Sequence, residues 1–326
     1  MILRYQHLSR QERIFLSMTG LRLHEFDPLL SEVLPAVAAD HHAARQSRPE
    51  RKRAVGAGHP FELDWRDQVL LCVVWLRQYP TQEVLGYLFG VSDTTALRAI
   101  ERVLPVLEQS GKDTMRLPDP GKKKRRQLDD LLQGTPELAV LIDSFEQRVQ
   151  RPKHHNKEPG PVGEEAEGQK DTYYSGKKKQ HTLKSQVAVE EISGKIVDTS
   201  QSVAGPTADL KLLEASGLLR RLPSGVGGVA DLAYLGGAAL HPQALFATPR
   251  RKPRGKERPP EDVAYNRALS RRRIVVENTI GRMRRYQSLF QMDRHHRQGH
   301  TQRVAAVAGL VNRQIEHRFG ACGSAN

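Results

Sequence analysis

"ELAVLIDSF", Glu137 to Phe145, decides how the second half of this 326-residue chain is read. A stretch rich in Gly and Pro precedes it, five apolar residues follow one another, and an acid, Asp143, comes directly after them. So short a run, bounded in this way, reads as a buried β-strand with the acid at its end. Downstream, "TLKSQVAVEE" (Thr182–Glu191) and "KIVDTSQSVA" (Lys195–Ala204) alternate in strand fashion around "SGK" at Ser193–Lys195, which reads as a hairpin. "TADLKLLEASGLLRRL" (Thr207–Leu222) has the periodicity of one amphipathic helix. "GGVADLAYLG" (Gly227–Gly236) reads as a short strand ending in Asp231, "ALFATP" (Ala244–Pro249) as another, and Ala264–Tyr286 as a long helix. The order β β β α β β α predicts an α/β fold, a mixed sheet flanked by helices.

Upstream the signals are helical. "DWRDQVLLCVVWLRQY" (Asp64–Tyr79) has an acidic start, an apolar stripe and Pro80 just past its end, the marks of a buried helix. "TQEVLGYLFGVSDTTALRAIERVLPVL" (Thr81–Leu107) divides into a helix to about Leu88, a turn at Gly90 and a second helix capped by Ser92 or Asp93. That is helix-turn-helix spacing, which an ordinary helical hairpin shares. In a DNA-binding version Asp93, Thr94, Thr95 and Arg98 face the major groove, while Val91, Leu97, Ile100 and Leu104 pack inward. The expected organisation is a helical and polar segment over 1–60, a helix-turn-helix domain over 61–110, a linker over 111–136 and an α/β domain over 137–318. The run Lys122–Arg126 reads as part of a solvated linker, and 151–171, without apolar periodicity, as a mobile loop.

The chain carries a formal net charge of +14, which points to a polyanionic partner, nucleic acid before membrane. Between Arg250 and Arg303 sixteen Lys or Arg stand against five Asp or Glu, a net of +11, so the C-terminal third is expected to face that partner. Two cysteines, Cys72 and Cys322, stand far apart and form no CxxC pattern, which supports neither a disulfide framework nor a thiolate zinc site. The longest apolar run, Val69–Leu76, is too short for a bilayer, and a cytoplasmic, nucleoid-associated protein without membrane contact is expected.

Asp143 and Asp231 each follow an apolar strand, where α/β sheets expose functional groups; singly, each reads first as a routine strand-ending or capping Asp. In "RRRIVVENTIGRMRRY" (Arg271–Tyr286) one acid, Glu277, stands among six arginines. On a helix, Arg273, Glu277, Gly281 and Arg284 share a side, beside an apolar stripe of Val276, Ile280 and Met283. Glu277 is then either one half of a solvated ion pair with Arg273 or the third member of a carboxylate cluster. Three carboxylates suit hard divalent cations arranged for two-metal phosphoryl transfer.

The ordered blocks "VLIDSFEQRVQRP", "YYSGKKKQHTLKSQ", "GKIVDTSQSVAGPTADLKLL", "VADLAYLG" and "NRALSRRRIVVENTIGRMRRY" resemble prokaryotic insertion-sequence transposases of the DDE superfamily, from about Phe61 to Arg318. The resemblance implies an RNase H-like fold with Asp143, Asp231 and Glu277 as catalytic and metal-binding triad. It further implies two Mg2+ ions, with Mn2+ able to substitute, and double-stranded DNA as partner, both transposon ends and target. The chemistry implied is strand cleavage to free a 3′-OH and transfer of that 3′-OH into target DNA by a homo-oligomer. Asn266, Arg273 and Arg284 match signature positions of the glutamate helix. Two departures leave the triad untouched: Ala233 stands where glycine is frequent, and the loop around "HHNKEPGPVGEEAEG" is longer and more acidic than the pattern. The alternative is a transposase-derived DNA-binding protein that does not use the nuclease.

Lys177, Lys178, Lys179, His181 and Lys184 are then expected beside the triad as phosphate contacts, with Arg273 and Arg284, and Arg250–Arg258 as a second basic track. The pairs His41/His42, His154/His155 and His295/His296 are expected to face solvent or phosphate.

Overall fold

The computed structural model describes residues 2–47, 61–123, 125–128, 130–151, 173–243, 245–295 and 297–323. The chain divides into two compact units, one of 1–115, 282–289 and 302–326, the other of 116–281 and 290–301.

The helical unit opens with α1 (Tyr5–Leu8), α2 (Glu12–Thr19) and α3 (Leu23–Gln46). It continues with α4 (Trp65–Gln78), α5 (Gln82–Phe89) and α6 (Asp93–Thr114). Three successive helices begin on a side-chain cap: Asp64 accepts from the Asp67 amide, Thr81 from Val84 and Ser92 from Thr95. Every residue of α4 from Asp67 to Leu76 is buried, as its apolar stripe predicts. Between α5 and α6 the chain turns at Gly90, in the left-handed region at φ 62°, and Gly86 lets α5 approach the turn; a Cβ there would stand 2.7 Å from the Val91 carbonyl oxygen. Ile100 and Leu104 are buried on α6 as expected, whereas Val91 and Leu97 are only half-buried; Ala96, Ala99, Val103 and Leu107 complete the inner face.

Three boundaries differ from the sequence reading. Residues 2–47 are mostly helical and belong to the same unit as the helix-turn-helix, and α6 continues to Thr114, four residues into the expected linker. Residues 302–318, expected in the α/β domain, also group with the helices. The reason is local: within α11 (Gly299–Gly323), Gly309 meets Gly111 of α6, where a Cβ on Gly309 would stand 2.3 Å from the Gly111 Cα.

The second unit is built on β1 (Ala139–Arg148), β2 (Tyr174–Ser175), β3 (Gln180–Glu190), β4 (Ile196–Thr199) and β5 (Val203–Ala204). After these come α7 (Asp209–Ser216), α8 (Leu218–Arg221), β6 (Gly227–Val229), α9 (Gly237–Leu240), β7 (Phe246–Ala247) and α10 (Pro260–Met283). The strand order β4-β3-β1-β6-β7 has antiparallel pairs on the β3 side of β1 and parallel pairs on the β6 side. This is the mixed sheet flanked by helices that was expected. The hairpin between β3 and β4 turns at Gly194, φ 72°.

Side-chain alternation along β1 sorts the two faces. Leu138, Val140 and Ile142 join Leu213, Leu218 and Leu219 of α7 and α8 in the core, so the opposite parity, Leu141 and Asp143, looks to the other face. The single helix expected over Thr207–Leu222 is broken: Gly217 adopts φ 62° and divides it into α7 and α8, because glycine takes the left-handed turn at no steric cost.

Candidate active site and nucleic-acid interface

Asp143 does not end its strand, as the sequence suggested; β1 continues to Arg148, and Asp143 lies opposite Val187 of β3. What ends at this level is the pairing on the other side. β1 and β6 run parallel with Leu141 beside Val229, and β6 stops there. Two residues beyond that last pair in each chain stand Asp143, still on β1, and Asp231, already past the end of β6 at the start of a short turn. A short β6 therefore opens the sheet where the two acids lie.

The Oδ1 of Asp143 accepts from the Ser144 amide at 2.8 Å, and its Oδ2 lies 3.4 Å from Nη2 of Arg273 on α10. The same Nη2 is 3.9 Å from Oε1 of Glu277, one turn further along the helix. Burial pushes the Asp143 carboxyl up to about 6, and the negative charges of Asp231 and Glu277 push the same way against Arg273 and the Ser144 amide. Asp231 is half-buried and its Oδ1 also caps a short turn, accepting from the Ala233 amide at 2.9 Å. The capping reading of this residue is thus met. Glu277 is largely exposed, while Val276, Ile280 and Met283 are buried as their spacing predicts.

The three acids are electrostatically coupled without closing around a point: among the described residues no three His, Cys, Asp or Glu are gathered tightly enough to hold a metal ion. As a donor set, three carboxylates suit a hard divalent cation, and Arg273 stands between two of them as their counter-charge.

Behind the acids lies a network that the sequence did not reveal. On the α7 side of β1, Ser144 Oγ donates to Oδ1 of Asp209 at 2.7 Å, and Lys184 Nζ pairs with that oxygen at 3.1 Å while donating to the Thr207 carbonyl at 2.6 Å. The Tyr234 hydroxyl is buried beside Ser144, and burial with the charges of Asp209 and Asp143 raises its pKa steeply. Asp209 opens α7, where an acid is ordinary, and no pattern in the sequence marks it. On α10, Arg272 is fully buried, donating to both carboxylate oxygens of Glu191 at 2.9 and 2.6 Å, to Thr135 Oγ1 at 2.9 Å and to the Pro136 carbonyl at 2.7 Å. This pair fixes the helix that carries Glu277.

Several expected DNA contacts are placed otherwise. Lys184 is buried in its ion pair, because its position on β3 points it at α7. Lys177, Lys178 and Lys179 are exposed in the turn between β2 and β3, but they lie beyond Gln180, itself seven residues along β3 from Val187, roughly 23 Å at strand rise. They are not beside the triad. His181 is half-buried and packs edge-on against Tyr174. Arg284 lies one residue past the end of α10, is half-buried and belongs to the helical unit. Thr94 and Arg98 are exposed on the first turns of α6, and Thr95 is half-buried with its amide on Ser92 Oγ. The described residues of the run Lys122–Arg126 are exposed, as a solvated linker would be, but the run is tethered: Lys123 pairs with Glu190 at 2.9 Å and Arg126 with Glu191 at 2.6 Å. The track at Arg250–Arg258 is anchored, since Asn266 bonds both the amide and the carbonyl of Arg250, and residues 251–257 are exposed. His41 packs against Phe61 and Trp65, His42 is exposed, and the His295 amide bonds Asp293; His154, His155, His296 and the loop 152–172 lie outside the described residues.

With this geometry in view, the comparisons are specific. Residues 142–312 match the family model for the DDE superfamily endonuclease, slightly more than half of the chain. The chain belongs to the DDE superfamily endonucleases. Residues 61–113 match the helix-turn-helix of DDE superfamily endonuclease. A probable transposase for insertion sequence element IS702 from Microchaete diplosiphon is 28% identical over 268 residues, covering 82% of this chain and 87% of that protein. The resemblance to insertion-sequence transposases drawn from the sequence is thereby borne out. Solved structures found similar include a pre-cleavage Mos1 transpososome, at 9% identity, TM-score 0.20 and coverage of 86% of this chain and 92% of that one. A Mos1 strand transfer complex follows at 10% identity, TM-score 0.19 and coverage of 85% and 98%. Overlaps this loose carry no weight beside the family match. Among the described residues of this DDE-superfamily protein, no helix is long and apolar enough to cross a membrane.

Proposed function

We propose that this protein is an insertion-sequence transposase that binds its element's terminal inverted repeats, cleaves DNA there and transfers the freed 3′-OH into target DNA. The observation that supports the reading is that Asp143 and Asp231 each follow the last β1–β6 pair by two residues, while Arg273 on α10 reaches both Asp143, at 3.4 Å, and Glu277, at 3.9 Å. Asp143, Asp231 and Glu277 would hold divalent cations, Mg2+ or Mn2+, whose chemistry when bound is to activate the attacking oxygen and stabilise the leaving one. The chain's own residues supply the frame: Ser144 and Ala233 amides orient the two aspartates, and the Arg272–Glu191 pair sets the register of α10. Thr94, Thr95 and Arg98 would read the repeat, and the exposed Arg251–Lys256 track would hold phosphates. Assembly as a homo-oligomer on DNA, in the nucleoid, belongs to the same reading.

The deciding experiment incubates the protein with a supercoiled plasmid carrying the terminal repeats of its element, in Mg2+ or Mn2+. Nicking at the repeat ends is expected. Specific binding without cutting would instead make the protein a DNA-binding descendant, and cutting indifferent to the repeats a general nuclease. Glu277→Gln should retain binding and lose cleavage; equal cleavage by the variant removes Glu277 from the triad.

A further inference from the structure

Adjacent arginines on α10 are held in opposite ways. Arg272 is fastened by four short hydrogen bonds to Glu191, Thr135 and Pro136. Among the described residues Arg273 is held through Nη2, at 3.4 Å from Asp143 and 3.9 Å from Glu277, and its buried Nε meets no hydrogen-bond partner there. A guanidinium makes its strong contacts as a fork, two parallel N–H donors to one carboxylate. Arg273 makes none of that kind. It stands between two acids as a loosely held cation, while most of its donors remain unspent.

We propose that Arg273 is an internal counter-ion that occupies the cation position between Asp143 and Glu277 and is exchanged for a divalent cation when a DNA phosphate takes up the guanidinium. The proposal rests on the triad reading given above and adds its regulation. A monovalent charge shared between two carboxylates and a divalent ion bound by the same carboxylates exclude one another, so each must weaken the other's hold. A phosphate offers the bidentate partner that Asp143 and Glu277 do not, and drawing Arg273 away leaves the acids uncompensated. Binding of DNA and binding of metal are then coupled, and by linkage each strengthens the other by the same factor. The device keeps the acids paired while no DNA is present and readies them for metal when phosphate arrives.

The test is Mn2+ binding to the full-length protein by calorimetry, which needs no turnover. Without DNA, Arg273→Gln should bind Mn2+ about tenfold more tightly than wild type, the change corresponding to about 1.4 kcal/mol. Asp143→Asn should bind it far more weakly. Unchanged or weaker binding by Arg273→Gln, with Asp143→Asn impaired, overturns the counter-ion role and leaves the triad standing. Unchanged binding by Asp143→Asn overturns the triad and the counter-ion role with it. A second measurement uses wild type alone: a short random-sequence duplex should raise Mn2+ affinity several-fold over the sum of protein and duplex measured separately. Arg273→Lys, whose ammonium keeps the charge but offers phosphate no fork, should show a smaller increase. Absence of any increase in wild type refutes the exchange.

Discussion

Replacing Asp143 with Asn should stabilise the metal-free protein at pH 8, although it removes an ion pair with Arg273. The carboxyl sits at about 6 in the fold against an ordinary 3.8. A raised acid pKa means that the folded state holds its proton more tightly than the unfolded chain does. Between those values stability therefore falls as pH rises, and above pH 6 the loss is complete. The rise from 3.8 to about 6 corresponds to about 3 kcal/mol at most. The side chain is 20% exposed, so solvent screening takes little from this figure. Asn keeps the acceptor for the Ser144 amide at 2.8 Å and carries no charge, which makes it a fair stand-in for the protonated acid. Urea unfolding in a chelator at pH 8 should show Asp143→Asn more stable by about 2–3 kcal/mol, and the advantage should vanish near pH 4. A variant less stable than wild type at pH 8, or a difference independent of pH, would mean that the pair with Arg273 outweighs burial and like-charge repulsion.

Other perturbations probe the frame and the DNA face. Arg272→Ala should cost about 3 kcal/mol in urea unfolding, the lower end for a broken buried pair, because Glu191 retains Arg126; a loss under 1 kcal/mol would show that α10 is held by its apolar face alone. Gly111→Ala places a Cβ 2.3 Å from the Ala305 carbonyl oxygen, and overpacking of about 1–3 kcal/mol should lower the melting temperature. An unchanged melt would mean that the two helices part freely. Arg98→Ala should weaken duplex binding and, if it removes one phosphate contact, reduce the slope of log affinity against log salt by about 0.9. A slope equal to wild type with relaxed sequence preference would reassign Arg98 to base reading.

Much of the fold was legible because local chemistry and tertiary demand agree. Asp64, Thr81 and Ser92 stand where helices need an acceptor, and Gly90 and Gly194 stand where the chain turns left-handed. Leu138–Ile142 runs apolar because both faces of β1 are covered at that end. What was illegible depends on register. Nothing in "QHTLKSQ" says that Lys184 faces α7 while Lys177–Lys179 lie some 23 Å from Asp143; only the pairing of Asp143 with Val187 fixes that. Asp209 carries the same ambiguity, since an acid at a helix start is ordinary until Ser144 and Lys184 converge on it. The end of α10 at Met283 likewise could not be read from "GRMRRY", so the face shared by Glu277 and Arg284 existed only in the helical projection.

The neighbourhood of Asp143 sets rigid parts against a frustrated one. Ser144, Asp209 and Lys184 brace β1 from one face, and Arg272 with Glu191 braces α10. The acids so positioned are left under-compensated, with a single long contact from Arg273 to Asp143 where a bidentate pair would have been stabilising. Burying a carboxylate beside two others is unfavourable unless a cation is recruited, and the stable frame is what prevents the acids from relaxing apart. If that is the purpose of the frame, Lys184→Met, which leaves the triad chemically intact, should loosen Asp143 and weaken Mn2+ binding, while Lys177→Met, in the distant turn, should leave it unchanged. Equal effects of the two substitutions would show that net positive charge, and not support of β1, governs the site.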